Sequence, residues 1–66
     1  MSIAKVIEIS AESGKSFDDA IGRGIKQASR TVHSIKGAWV KGQQVVVDGD
    51  KITTYRVDLK VTFILD

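Results

Sequence analysis

From Tyr55 to Leu65 the chain alternates apolar and polar residues with one exception. Tyr55, Val57, Leu59, Val61, Phe63 and Leu65 share one parity, and Arg56, Asp58, Lys60 and Thr62 the other, Ile64 being out of class. Successive side chains of an extended backbone point to opposite faces, so the pattern predicts a long strand with one apolar and one polar side. Lys5–Ser10 carries a shorter version, with Ile7 and Ile9 on one face and Val6 and Glu8 on the other. Ala11–Lys15 is polar and contains Gly14, which reads as a turn. Ser16 is then placed as a helix N-cap. Asp19 is spaced to reach back in the manner of a capping box, and Asp18 and Asp19 put negative charge where the helix dipole favours it.

From Phe17 the apolar period changes. Phe17, Ile21, Ile25, Ala28, Val32 and Ile35 recur in steps of three and four, the stripe of an amphipathic helix. Arg23, Lys26, Gln27 and Arg30 lie off the stripe, and Arg30 and His33 suit the negative end of the dipole. Gly22 and Gly24 each cost a helix interior about 1 kcal/mol relative to alanine. Close packing against the sheet or a neighbouring subunit is the expected reason for them. Lys36–Val47 reads as a second long strand whose phase is muddled, with Gly42 placed for a bulge. Asp48-Gly49-Asp50 is a hairpin turn.

These elements predict an α+β fold in the order β-α-β-β, a single domain over residues 1–66. The helix crosses between the first two strands, which makes them parallel, and the hairpin makes the last two antiparallel. A three-stranded, antiparallel-type sheet of order 1-3-2 on one helix satisfies both and keeps the crossover right-handed. The helix then covers Val57, Leu59, Val61 and Phe63, and nothing in the chain covers the opposite face.

A hairpin closed by Gly49 and Asp50 sets Val47 against Ile52, Gln43 against Arg56, Lys41 against Asp58, Trp39 against Lys60 and Gly37 against Thr62. Ala38 and Val40 then join the core face. Trp39 falls on the polar face with Gly37, Lys41, Gln43, Arg56 and Asp58, a candidate ligand-binding or inter-subunit surface, and Lys41 pairs with Asp58 in charge. A three-residue loop shifts the register by one and carries Trp39 into the core against Leu59.

Composition narrows the function. Sixty-six residues make a small core that is marginal alone, and such folds need a staple. The chain has no cysteine and one histidine, which excludes disulfides, thiolate metal sites and a histidine cluster. Oligomerisation is the staple that remains. Ten basic and eight acidic residues, net +2, are too mixed for a nucleic-acid stripe. No apolar run is long enough to span a membrane, and Met1–Val6 lacks the form of a signal peptide, so a cytoplasmic protein is expected.

Enzyme chemistry has little to stand on. His33 at a helix end is as well explained as a C-terminal cap as a general base. Gly22-Arg23-Gly24 lies inside a helical pattern and not after a strand, which fails the context of a dinucleotide fingerprint. Asp48-Gly49-Asp50 lacks the further ligands of a calcium loop.

Taken together, Lys5–Ile9, Ser16–Ile21, Ala28–Val32, Ala38–Lys41 and Tyr55–Phe63 resemble the dodecins in order and spacing. That resemblance implies a hollow homo-dodecamer that binds or stores a small molecule or ions without catalysis. Flavin-binding dodecins stack riboflavin or FMN between tryptophans and bond it through a glutamine following the tyrosine of the last strand. By that resemblance the tryptophan position is Gly37 and the glutamine position is Arg56, so both signature residues differ. The chain is closer to the calcium-dodecin branch, with calcium or another cation as the implied ligand.

Two alternatives stay open. In one, Trp39, two residues on and on the same face, stacks a flavin while Arg56 meets its carboxylate or phosphate. In the other the protein is a purely structural oligomer, in which Trp39 fills an interface or takes Arg56 from another subunit across its ring.

Overall fold

The computed structural model describes residues 3–65; Met1, Ser2 and Asp66, the ends of the expected 1–66 domain, lie outside them. Four elements follow in order, β1 (Ile3–Ser13), α1 (Phe17–Ala28), β2 (Ile35–Asp48) and β3 (Lys51–Leu65). They form a sheet of order β1-β3-β2 in which both outer strands run antiparallel to β3. The expected α+β architecture is the observed one.

The alternation of β3 explains its central place. Val57, Leu59 and Val61 are at most 1% exposed and meet Ala20 of α1. Ile7, Ile9 and Ala11 of β1 and Phe17, Ile21 and Ile25 of α1 pack around them. Phe17 meets Tyr55 edge to face, ring centroids 5.2 Å apart. Helix α1 rests on β1 and β3, which leaves Ala38 of β2 exposed although it pairs with Val61 as expected.

At the β1–α1 junction Ser16 is extended (φ −170°, ψ 165°) and its hydroxyl accepts the Asp19 N–H at 3.0 Å. The Asp19 carboxylate differs from the capping-box expectation. It accepts from the Ser13 hydroxyl and from Arg23 Nε, the latter at 2.7 Å. Ser13 is 5% exposed, and its oxygen also accepts the Lys15 N–H at 2.9 Å. Strand β1 therefore runs past Ser10, because Ala11, Glu12 and Ser13 find partners in Val57, Arg56 and Tyr55.

The Ser13 hydroxyl, and after it the Arg23 guanidinium, hold the Asp19 carboxyl below its ordinary 3.8. A depressed folded value means that this contribution to stability is complete above the unfolded carboxylate pKa and is lost as pH falls through the folded one. Urea titrations of the parent and Asp19→Asn are expected to differ by a constant amount at neutral pH. The gap should close below about pH 4. A gap unchanged at acid pH would show that the charge on Asp19 contributes nothing.

Helix α1 ends earlier than the apolar stripe implies. Ser29 caps it, with its N–H directed at Ile25 and its hydroxyl at the Lys26 carbonyl (2.7 Å), and Thr31 and Val32 turn back onto the Ala28 carbonyl. Ser34 at φ 62° completes the reversal, and Ile35 opens β2 opposite Phe63. Val32, His33 and Ile35 are thus not helical. The period continued because Ile35 enters the same core from a strand.

The hairpin closes on Gly49 and Asp50, with Asp48 facing Lys51. A positive φ of 64° at Gly49, the first central residue, matches a type II′ turn. Val47 faces Ile52, Trp39 faces Lys60 and Gly37 faces Thr62, as expected, but the middle of the register differs. An extra residue of β3 between Val46 and Val47 sets Gln44, not Gln43, against Arg56. A bulge between Val40 and Gly42 then sets Gly42, not Lys41, against Asp58 and restores the phase. These two irregularities cancel, which is why the register holds next to the turn and again from Val40 to Gly37 while its centre slips. A third shift between Gly37 and Ile35 sets Ile35 against Phe63.

Candidate ligand and inter-subunit face

The face away from α1 is built by alternation. In β3 it presents Arg56, Asp58, Lys60 and Thr62, and in β1 their partners Glu12, Ser10, Glu8 and Val6. From β2 it takes Trp39 and Gly37, opposite Lys60 and Thr62, together with Gly42 and Gln44. Gln43 faces Val57 across the strands and so leaves the expected set. Trp39 is 64% exposed and lies on this polar face, not in the core.

Charges here are paired across strands. Glu12 Oε1 accepts from Arg56 Nε at 3.2 Å and Nη2 at 3.1 Å. Glu8 Oε1 lies 3.2 Å from Lys41 Nζ and 3.9 Å from Lys60 Nζ. Lys41 thus crosses over β3 to Glu8 instead of meeting Asp58, because the bulge lifts it out of line. Asp58 accepts the Ser10 hydroxyl at 2.7 Å and, among the described residues, has no cationic partner within 4.0 Å. A small notch between Glu8, Ser10, Lys41, Gly42 and Asp58 surrounds it. Gly42 borders that notch, where a Cβ would stand 3.7 Å from Asp58 Oδ2, an ordinary contact distance.

The cation over the Trp39 ring is Lys60 of the same chain, Nζ 5.3 Å from the centroid. Arg56, the other candidate for that contact, is held by Glu12. Gly37 is open, with nothing within 4 Å of a Cβ built on it. Glu8, Ser10 and Glu12 were absent from the expected set. The signal for them was the polar parity of β1, but their roles follow from the β1–β3 register, which no turn sequence specifies.

The arrangement can chemically do two things. Trp39 offers one apolar ring for stacking, with the Lys60 ammonium beside it. Asp58 offers a carboxylate with, among the described residues, no base within 4.0 Å. Neither makes a metal cage within one chain, and among the described residues no three acidic or histidine side chains cluster as one. Among the same residues no helix is long and apolar enough to cross a membrane.

The sequence matches the Dodecin family over residues 3–66. It is 36% identical over 63 residues to calcium dodecin from Mycobacterium tuberculosis, spanning 96% of this chain and 89% of that one. The crystal structure of that calcium dodecin, described as calcium chelating with a novel calcium-binding site, superposes with a TM-score of 0.84, covering 98% of this chain and 93% of the other at 36% identity. Dodecin from Streptomyces davaonensis superposes with a TM-score of 0.94 at 31% identity, covering 98% and 96% of the two chains. With the fold, the strand order and nearly the whole length in common, the chain belongs to the dodecin family.

Proposed function

We propose that residues 1–66 form one domain, the subunit of a hollow homo-dodecamer in the cytoplasm that binds or sequesters cations or a small molecule without catalysing a reaction. The observation that carries this reading is apolar surface that one chain cannot cover. Val45, Val46, Val47 and Ile52 are 38%, 37%, 56% and 51% exposed on a hairpin that extends beyond β1. A two-stranded hairpin is marginal in water, and copies of the chain are its natural cover. Light scattering on the eluted protein is expected to give twelve chains of 7.2 kDa. A monomer at micromolar concentration defeats the reading.

For the ligand, calcium or another cation is the reading we favour, from Asp58 and from the calcium-chelating relative. Calcium takes six to eight oxygens, and one Asp58 carboxylate per chain supplies at most two, so carbonyls, water or carboxylates of neighbouring copies would complete its shell. Flavin fits these residues less well. Gly37 has no ring to stack, and Arg56 donates only and is already engaged by Glu12, which leaves Trp39 as the stacking residue of that alternative. His33 lies exposed in the connection after α1, which favours a role without catalysis.

At a calcium concentration a hundred times its dissociation constant, stability is expected to rise by about 2.7 kcal/mol. Asp58→Asn should abolish that gain and leave assembly intact. A blue absorption band in the purified protein, or quenching of added riboflavin fluorescence that Trp39→Ala removes, would decide for flavin instead. Assembly with neither response leaves the purely structural oligomer.

A further inference from the structure

Helix α1 and the outer strand β1 enclose an open groove on the edge of the molecule. Its floor is apolar, from half-buried Ile7, Ile9 and Ala11, and Lys26 and Gln27 of α1, with Arg30 in the turn just past its end, stand on its rim. Strand β1 has no neighbour on this side in the sheet order, so its outer backbone groups border the groove unpaired with any strand. Gly22 lines it as well, with nothing within 4 Å of a built Cβ, so a glycine that costs helix stability fills no space inside its own chain.

The opposite end of the molecule carries a matching surface. Val45 faces Tyr55, beside which α1 begins at Phe17, and Val47 faces Ile52 farther along. These three apolar residues continue the core-side face of the sheet past the start of the helix, where they remain 38–56% exposed. The turn beyond them bears Asp48 and Asp50, with Lys51 opposite Asp48, a net charge of −1. Among the described residues neither acid has a basic partner within 4.0 Å, and neither Lys26 nor Arg30 has an acidic one. Of the three acids lining the groove, Asp18 stands about two helical turns from Lys26, roughly 12 Å along the axis, Asp19 is held by Arg23, and Glu12 is held by Arg56.

We propose that the β2–β3 hairpin tip of one copy seats in the β1–α1 groove of the next, Val45, Val47 and Ile52 over the apolar floor and Asp48 and Asp50 against Lys26 and Arg30. This deepens the shell reading, on which it rests, by naming its mating surfaces. The contact joins two different patches and is therefore head to tail, the kind that closes into rings when its rotation allows. Tip against tip is disfavoured by like charge.

A charge exchange in the full chain tests it, read by light scattering at low salt with circular dichroism as the folding control. Asp48→Lys with Asp50→Lys, and separately Lys26→Glu with Arg30→Glu, are expected to raise the chain concentration needed for half-assembly by about tenfold or more. High salt should shrink both effects. The variant carrying all four changes should assemble again near the parent's concentration. Double variants that assemble like the parent overturn the proposal and leave the shell standing, as does a folded fourfold variant that fails to recover. A parent chain that never assembles overturns both.

Discussion

Leu59→Ala, which truncates the largest fully buried side chain of the core, is expected to cost about 2–5 kcal/mol. Leu59 is 1% exposed and lies opposite Ile9 on one side and Val40 on the other, beneath α1. Its Cδ1 stands 3.3 Å from the position a Cβ on Gly24 would take, so the side chain spans the space between sheet and helix. Truncation leaves a hole bounded by a helix backbone that cannot move inward without abandoning Ile21 and Ile25. The fully buried core is only Ala20, Val57, Leu59 and Val61, so there is little else to compensate. In a domain of this size each kcal/mol lowers the melting temperature by about 4–8 °C. Thermal and urea unfolding at matched chain concentration will measure it, and a loss below 1 kcal/mol would mean that the core is held chiefly by contacts between copies.

Gly24→Val should be nearly as damaging, for the opposite reason. A Cβ at this position meets Ala11 Cβ at 3.0 Å, Leu59 Cδ1 at 3.3 Å and Ile9 Cδ1 at 3.5 Å. Ala11 is the contact that cannot yield, since its Cβ is fixed to the backbone of β1. Overpacking of this kind costs about 1–3 kcal/mol, and the valine methyls enlarge the clash. Gly24→Ala sets that clash against the roughly 1 kcal/mol of helix propensity that alanine restores, and should come out milder. Urea midpoints of the two variants give the comparison. Equal stability of Gly24→Val and the parent would show that α1 can ride away from β1 freely.

Much of the architecture could be read from local pattern. The parity of Tyr55–Leu65 named the buried row Val57, Leu59, Val61 and Phe63, and Ser16 and Gly49 marked the helix start and the hairpin tip correctly. Each of those signals is complete within a few neighbouring residues. The helix end was not, because Val32 and Ile35 keep a helical spacing while the chain has already turned at Ser29 and Ser34. The apolar demand at Ile35 comes from the core, which is indifferent to whether a helix or a strand delivers the side chain.

The candidate face divides in the same way. Trp39 opposite Lys60, and Gly37 opposite Thr62, followed from counting back from the turn. Gln43 opposite Arg56 and Lys41 opposite Asp58 did not, because two irregularities displace the register between them and then cancel. Gly42 signalled that a bulge was available. Where the offsetting residue would sit depended on how Thr54 and Ile52 pair, which no single strand encodes.

By itself the sequence determined the apolar parity of the central strand and the order of the elements along the chain and in the sheet. Those are consequences of periodicity, written within each segment. Tertiary structure decided which charge meets which: Glu8 between Lys41 and Lys60, Glu12 with Arg56, and Asp58 with the Ser10 hydroxyl. It also decided where apolar surface remains uncovered. Both depend on the register between strands more than forty residues apart in the chain and on how far one helix reaches across a longer sheet.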